Sequence, residues 1–180
     1  MKRLFDIVLS VAGMVLLLPL LLVISIVIWI ADRHAPLFYQ ERLGAQMRPF
    51  TIVKYRTMKN GTITSVGRIL RSTGIDELPQ LVNVLAGAMS IVGPRPLTHA
   101  DVVRLGWNTE RYQARWSLRP GIVGLAQLSN VCNAKMSWLY DRTYACNHSL
   151  WMDVKIVAAS AMIMIVGKQT VQRWVQRKKA

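Results

Sequence analysis

From Ile7 to Ala31 the chain runs 25 residues without a charged side chain, and no other feature limits the fold as sharply. As a straight helix this stretch measures roughly 37 Å, enough to cross a hydrocarbon core of about 30 Å. It exceeds the apolar core of a signal peptide, and no small-residue cleavage site follows it. Two features argue against a plain crossing. Pro19 sits mid-stretch, where it deletes one backbone hydrogen bond and bends a helix. Basic residues flank both ends, Lys2 and Arg3 before and Arg33 after, so a crossing helix sets positive charge on the non-cytoplasmic side. A re-entrant hairpin bent at Pro19 keeps both ends cytoplasmic. The backbone freed at the bend then needs a partner, and the hydroxyls of Ser10 and Ser25 are candidates. On these residues alone the hairpin and a kinked spanning helix both fit, because transmembrane helices tolerate proline. Trp29 marks the interfacial end of the segment.

With 180 residues the chain has room for one domain beside this element. Its net charge of +14 suits anionic partners: nucleic acid, anionic lipid or phosphate. Cys132 and Cys146 lie outside any CxxC spacing and read as reduced, cytosol-facing thiols packed as small core residues. His34, His99 and His148 are isolated from other ligands at metal spacing. Val154 to Gly167 is apolar but too short to span, and Lys168 to Ala180 mixes basic residues with Trp174. That end suits an amphipathic helix lying in the headgroup layer, or equally a buried terminal helix with a solvated tail. The expected organisation is a membrane helix over 1–34, a cytoplasmic domain over 35–153, and an interfacial helix with a basic tail over 154–180.

The middle reads as α+β, mainly helical. Leu37 to Arg42 and Pro49 to Tyr55 form a small β-hairpin joined through Gly44. Val66 to Arg71 is a short helix stopped near Gly74, and Asp76 opens another that runs to Leu85 and ends at Gly87. Pro79 fits there because it falls in the first turn. Gly93-Pro94-Arg95-Pro96 is a rigid turn, Thr109 caps a helix reaching Trp116, and Arg119-Pro120-Gly121 opens a loop.

Only nine acidic residues occur, and only Asp76 and Glu77 are adjacent. They stand at a helix start, where outward N–H groups favour anions. Helix capping alone would explain them. The surrounding cations point to more. Arg68 and Arg71 share a helix face, and Lys54 and Arg56 point the same way from a strand. Arg95 is held between two prolines and Arg119 precedes a Pro-Gly turn. Arginines fixed on turns and strand ends suit bidentate phosphate binding better than a solvated surface does.

An ordered set of motifs runs through nearly the whole chain. It comprises Lys2-Arg3-Leu-Phe-Asp6, Phe50-Thr-Ile-Val-Lys-Tyr-Arg-Thr-Met58, Val66-Gly-Arg-Ile-Leu-Arg71, Asp76-Glu-Leu-Pro-Gln-Leu81 and Asn83-Val-Leu85. It continues with Met89-Ser-Ile-Val-Gly-Pro-Arg-Pro-Leu97, Arg119-Pro-Gly-Ile122, Asp141-Arg-Thr-Tyr144 and Asp153-Val-Lys-Ile156. Together these resemble the bacterial sugar transferases, the monotopic phosphoglycosyl transferases. The resemblance implies a re-entrant N-terminal helix bent near its proline and a domain on the cytoplasmic face of the bacterial inner membrane. It implies transfer of a sugar 1-phosphate from a UDP-sugar to a polyprenyl (undecaprenyl) phosphate with Mg²⁺ and release of UMP, as a first membrane step of glycoconjugate or exopolysaccharide assembly. It further implies Asp76 as nucleophile, Glu77 in support at the metal or in acid–base work, and phosphate binding by Lys54, Arg56, Arg68, Arg71, Arg95 and Arg119. The chain departs from the family pattern in a short stretch between Met58 and Val66 and in Ser129-Asn130-Val131.

Two other classes stay in view. A nucleic-acid binder would need a stacking platform or recognition helix, and the sequence offers neither, so no nucleic-acid partner is expected. A catalytically weak family member could serve as a scaffold in polysaccharide assembly. Its membrane-facing surfaces also suit a homodimer.

Overall fold

The computed structural model describes residues 1–129 and 133–166. It is mainly helical, with three two-stranded sheets. Helix α1 (Lys2–Asp32) is a single helix that includes Pro19. Its buried residues, Asp6, Ser10, Ile24, Ile28 and Asp32, recur at helical spacing and form one inward stripe. The opposite face is apolar and uncovered: Leu16 is 80% exposed, Val15 72% and Trp29 64%. By length and composition α1 could cross a membrane.

Both ends of α1 are tied to the same globular body. At the N-terminal end Lys2 Nζ lies 2.6 Å from the buried Asp153 carboxylate and donates to Tyr144 Oη at 3.0 Å and Val92 O at 3.1 Å. Arg3 donates to the carbonyls of Val84 and Leu85 at 2.6 and 3.0 Å, at the C-terminal end of the helix that closes at Leu85. The Asp6 carboxylate accepts from Ser90 Oγ and from the Ile91 N–H. At the other end Thr64 donates to Asp32 Oδ2 at 3.0 Å, and Tyr55 Oη to Leu21 O at 2.6 Å. The carbonyl that Pro19 leaves unpaired belongs to Val15. Neither expected serine serves it: Ser25 donates to Leu21 O at 2.8 Å, and buried Ser10 Oγ has no partner among the described residues.

Strands β1 (Leu37–Leu43) and β2 (Pro49–Tyr55) pair antiparallel, from Leu37 opposite Tyr55 to Leu43 opposite Pro49. The short stretch after Met58 is a tight second hairpin of β3 (Met58–Lys59) and β4 (Thr62–Ile63). Asn60 and Gly61 turn it with φ of 50° and 78°, as a two-residue hairpin loop requires. Helix α2 (Ser65–Thr73) is capped by Thr64 and stopped by Gly74 at φ 78°. A 3-10 turn (Ile75–Gln80) leads into α3 (Leu81–Leu85), where the sequence suggests one continuous helix. The stretches read as a turn at 93–96 and a loop at 119–121 lie against each other. There β5 (Ser90–Val92) and β6 (Gly121–Val123) pair in parallel. The two backbones approach so closely that a Cβ on Gly121 would sit 2.1 Å from Gly93 N, so a glycine is required.

Further along, α4 (His99–Leu105) is held by a Thr98–Asp101 capping box, followed by α5 (Gln113–Trp116), α6 (Leu125–Leu128), α7 (Ala134–Asn147) and α8 (Leu150–Val166). The central core joins Ile52, Leu81, Val84, Ile91, Tyr144 and Ile156. Helix α8 has one buried and one exposed side. It buries Asp153 and Ile156 in that core and exposes Trp151, Val154 and Met162. The tail after Val166 and Cys132 lie outside the described residues. Cys146 is exposed, contrary to the core position expected for it, because it falls on the outer face of α7.

Candidate active site

Gly74 breaks α2 from the following 3-10 turn, and the left-handed residue swings Asp76 and Glu77 to the bottom of a cavity of about 360 Å³. Asp76 is 8% exposed. Among the described residues no other side chain donates a hydrogen bond to its carboxylate. Lys54 enters from β2 and Arg71 from the last turn of α2. Arg71 Nε donates to Thr57 Oγ1 at 2.8 Å, which fixes its direction. Arg95, on the proline-flanked turn, lies 3.6 Å from the Glu77 carboxylate. Behind it Arg115 donates to the Arg95 carbonyl while paired with Asp141 at 2.9 Å, both buried. Ile122, Val123, Leu128 and Ile163 add apolar lining, and Ser160, which also lines the cavity, has an Oγ without a partner among the described residues.

The lining therefore combines cations, apolar side chains and two carboxylates. Burial, then the neighbouring Glu77, push the Asp76 carboxyl up to about 6 against the pull of Lys54 and Arg71. Burial and then Arg42 lower the Lys54 ammonium. A buried carboxylate that two cations do not fully compensate has room for a further cation. The Asp76 and Glu77 oxygens are the hard donors a small divalent ion takes. Among the described residues no group of three or more His, Cys, Asp or Glu could hold a metal, so an ion bound at this pair would need further oxygens from substrate or water.

Five of the eight residues singled out in the sequence line this cavity: Lys54, Arg71, Asp76, Glu77 and Arg95. Three do not. Arg56 shares the Lys54 face, since both cations lie over the Phe38 ring, at 5.8 and 5.3 Å. Its guanidinium, however, donates to the carbonyls of Ala35 and Leu37. Arg68 is exposed on α2 one turn before Arg71, and Arg119 is exposed ahead of β6. Sequence reasoning missed Gln127, which lines the cavity, and Arg42, which lines a smaller space with Glu77. For Arg42 the signal was available: the β1–β2 register puts it on the Lys54 face by strand alternation. Gln127 had none, because only the β5–β6 pairing brings α6 to the site.

The family model for bacterial sugar transferases matches residues 1–167. The chain belongs to that family. It is 38% identical over 177 residues to the UDP-glucose:undecaprenyl-phosphate glucose-1-phosphate transferase of Caulobacter vibrioides, covering 87% of this chain and 66% of that protein. It is 34% identical to the exopolysaccharide production protein PSS of Rhizobium leguminosarum bv. phaseoli, covering 87% of this chain and 91% of that one. It is 33% identical to the UDP-N-acetylgalactosamine-undecaprenyl-phosphate N-acetylgalactosaminephosphotransferase of Aeromonas hydrophila, covering 92% and 44%. The chain thus spans less than two thirds of the length of several relatives it matches. Asp76 and Glu77 lie within the segment the family model matches and line the cavity described above.

Proposed function

We propose that the chain is a phosphoglycosyl transferase, moving a sugar 1-phosphate from a UDP-sugar to undecaprenyl phosphate. The observation that carries this is Asp76: a buried carboxylate in a cavity lined by Lys54, Arg71 and Arg95 together with apolar side chains. The donor diphosphate binds against the three cations, which neutralise its oxygens. Asp76 Oδ attacks the sugar-bearing phosphorus, the bond from that phosphorus to the bridging oxygen breaks, and UMP leaves with the electron pair. An oxygen of the lipid phosphate then attacks the same phosphorus and the aspartyl–phosphorus bond breaks, which restores Asp76. The sugar C1–O bond stays intact, so anomeric configuration is kept. Asp76 and Glu77 would hold Mg²⁺, which supplies charge neutralisation for phosphate oxygens. The carboxylate must be ionised to attack, and the cations and metal that neutralise phosphate also favour that form.

The same reading sets 35–153 as the catalytic domain at the cytoplasmic surface of the inner membrane, with α1 re-entrant and 154–180 interfacial. It is supported by the attachment of both ends of α1 to one body and by the bare apolar face between them. A crossing helix would carry Lys2 roughly 30 Å away from Asp153. In this pose the cavity lies at headgroup height, where the lipid phosphate is. In a Cys132→Ser, Cys146→Ser background, a cysteine inserted after Met1 and one introduced at Arg33 should both react with an impermeant thiol reagent from the cytoplasmic side only.

The deciding experiment omits the lipid acceptor. Protein in native membranes or detergent is mixed with UDP-glucose, UDP-galactose or UDP-N-acetylgalactosamine and its intact mass is measured. One donor should add a phosphosugar that maps to Asp76, with equivalent UMP release. An Asp76→Asn protein that still releases UMP at the native rate would sink the proposal.

A further inference from the structure

Beside the main cavity lies a chamber of about 20 Å³ that shares Lys54, Glu77, Arg95 and Gln127 with it and adds Arg42. Two buried polar atoms of its lining residues have no partner among the described residues: Arg42 Nε and Gln127 Oε1. Both side chains are fixed by their other ends. Arg42 donates through Nη2 to Gln40 Oε1 at 2.6 Å and lies 3.7 Å from Asp101. Gln127 Nε2 donates to Ile122 O at 3.2 Å, which sets the direction of its amide. A Cβ on Gly124 would come within 2.2 Å of Gln127 Oε1, so the glycine leaves the space this amide occupies.

A buried polar atom without a partner costs about 1–3 kcal/mol, and a native structure with two in one small chamber needs a reason. One of these atoms is a donor and the other an acceptor. The chamber has room for about one oxygen atom. A group that satisfies both must accept one hydrogen bond and donate another, which a water molecule does in the free protein and a substrate hydroxyl does on displacing it. An ionised phosphate oxygen only accepts and would face Gln127 Oε1 without a proton to give. Through Glu77 and Arg95 the chamber adjoins the cavity that Asp76 lines, the proposed place of the sugar's phosphate.

We propose that Arg42 and Gln127 form a subsite for one hydroxyl of the transferred sugar and so help select the donor. This rests on reading the main cavity as the donor site. The test couples protein and substrate changes. Gln127→Leu, Gln127→Met and Arg42→Lys are assayed for aspartyl adduct formation with the UDP-sugar that loads the wild type. Its 2-, 3-, 4- and 6-deoxy sugar analogues and its 2′-deoxyuridine analogue are assayed alongside, with thermal melting as a fold check. Each substitution should lower kcat/KM about 10- to 100-fold on the parent sugar. On one deoxysugar, which the wild type already uses poorly by a similar factor, the substitutions should cost less than about 3-fold more. Equal losses on the parent and on every deoxysugar would overturn the subsite, as would coupling confined to the deoxyuridine analogue. Two glutamine variants keep the test alive if one melts early. A wild type that loads no UDP-sugar overturns the donor-site reading and the subsite together, whereas a loading wild type without coupling overturns the subsite alone.

Discussion

Arg71 and Arg68 stand three residues apart on one helix, and Lys54 and Arg56 two apart at a strand end, yet only the first of each pair reaches the cavity. Arg71 is steered there by Thr57, while Arg56 is held off by the carbonyls of Ala35 and Leu37. Sharing a face sets a direction, and local hydrogen bonds decide where a long side chain ends. The cations outside the cavity are therefore surface and tether groups, and those inside are the phosphate contacts of the proposed reaction.

The largest break in this picture comes at its centre. Asp76→Asn should reduce UMP release by more than about 10³-fold, because the attacking group itself is gone. Next is the support behind Arg95. Arg115→Met leaves Asp141 buried without its partner and should cost about 3–5 kcal/mol of stability, read as a large fall in Tm. Smaller but decisive for the comparison, Arg71→Met and Arg95→Met should each lower kcat/KM about 10- to 100-fold without a matching loss in Tm.

Asp76 also carries a stability signature. Its folded carboxyl, near 6, holds a proton more tightly than the unfolded one, near 3.8. The folded state therefore binds more protons between those values, and stability falls as pH rises from about 4 to about 6. In metal-free protein Asp76→Asn should escape that loss and gain roughly 1–2 kcal/mol at pH 7, with no gain at or below pH 4. An equal gain at both pH values would mean burial does not perturb this carboxyl. The smallest effects belong to Arg56→Met, Arg68→Met and Arg119→Met, each expected within about 3-fold of wild-type kcat/KM. A loss as deep as that of Arg71→Met in any of them would erase the distinction between the two sets.

Much of this was legible in the chain. Hydrophobic run, proline and flanking charges located α1, and glycine stops and strand alternation gave α2 and the first hairpin. The adjacent carboxylates stood out because acids are scarce. The Asn60-Gly61 hairpin could also have been read from its turn residues. The parallel pairing of β5 with β6 could not, since nearly thirty residues separate strands of three residues each, too short to show a period.

The sequence by itself determined composition-level facts: a long uncharged helix, a basic body, and one acidic pair at a glycine-broken turn. These depend on neighbours along the chain, where spacing and propensity act directly. Only the tertiary structure decided that both ends of α1 hold one body, that Arg71 and Arg95 face Asp76 while Arg56 and Arg68 do not, and that Arg42 meets Gln127. Those outcomes depend on contacts between residues distant in sequence, whose pairing follows from packing and from the hydrogen bonds that buried polar groups must find.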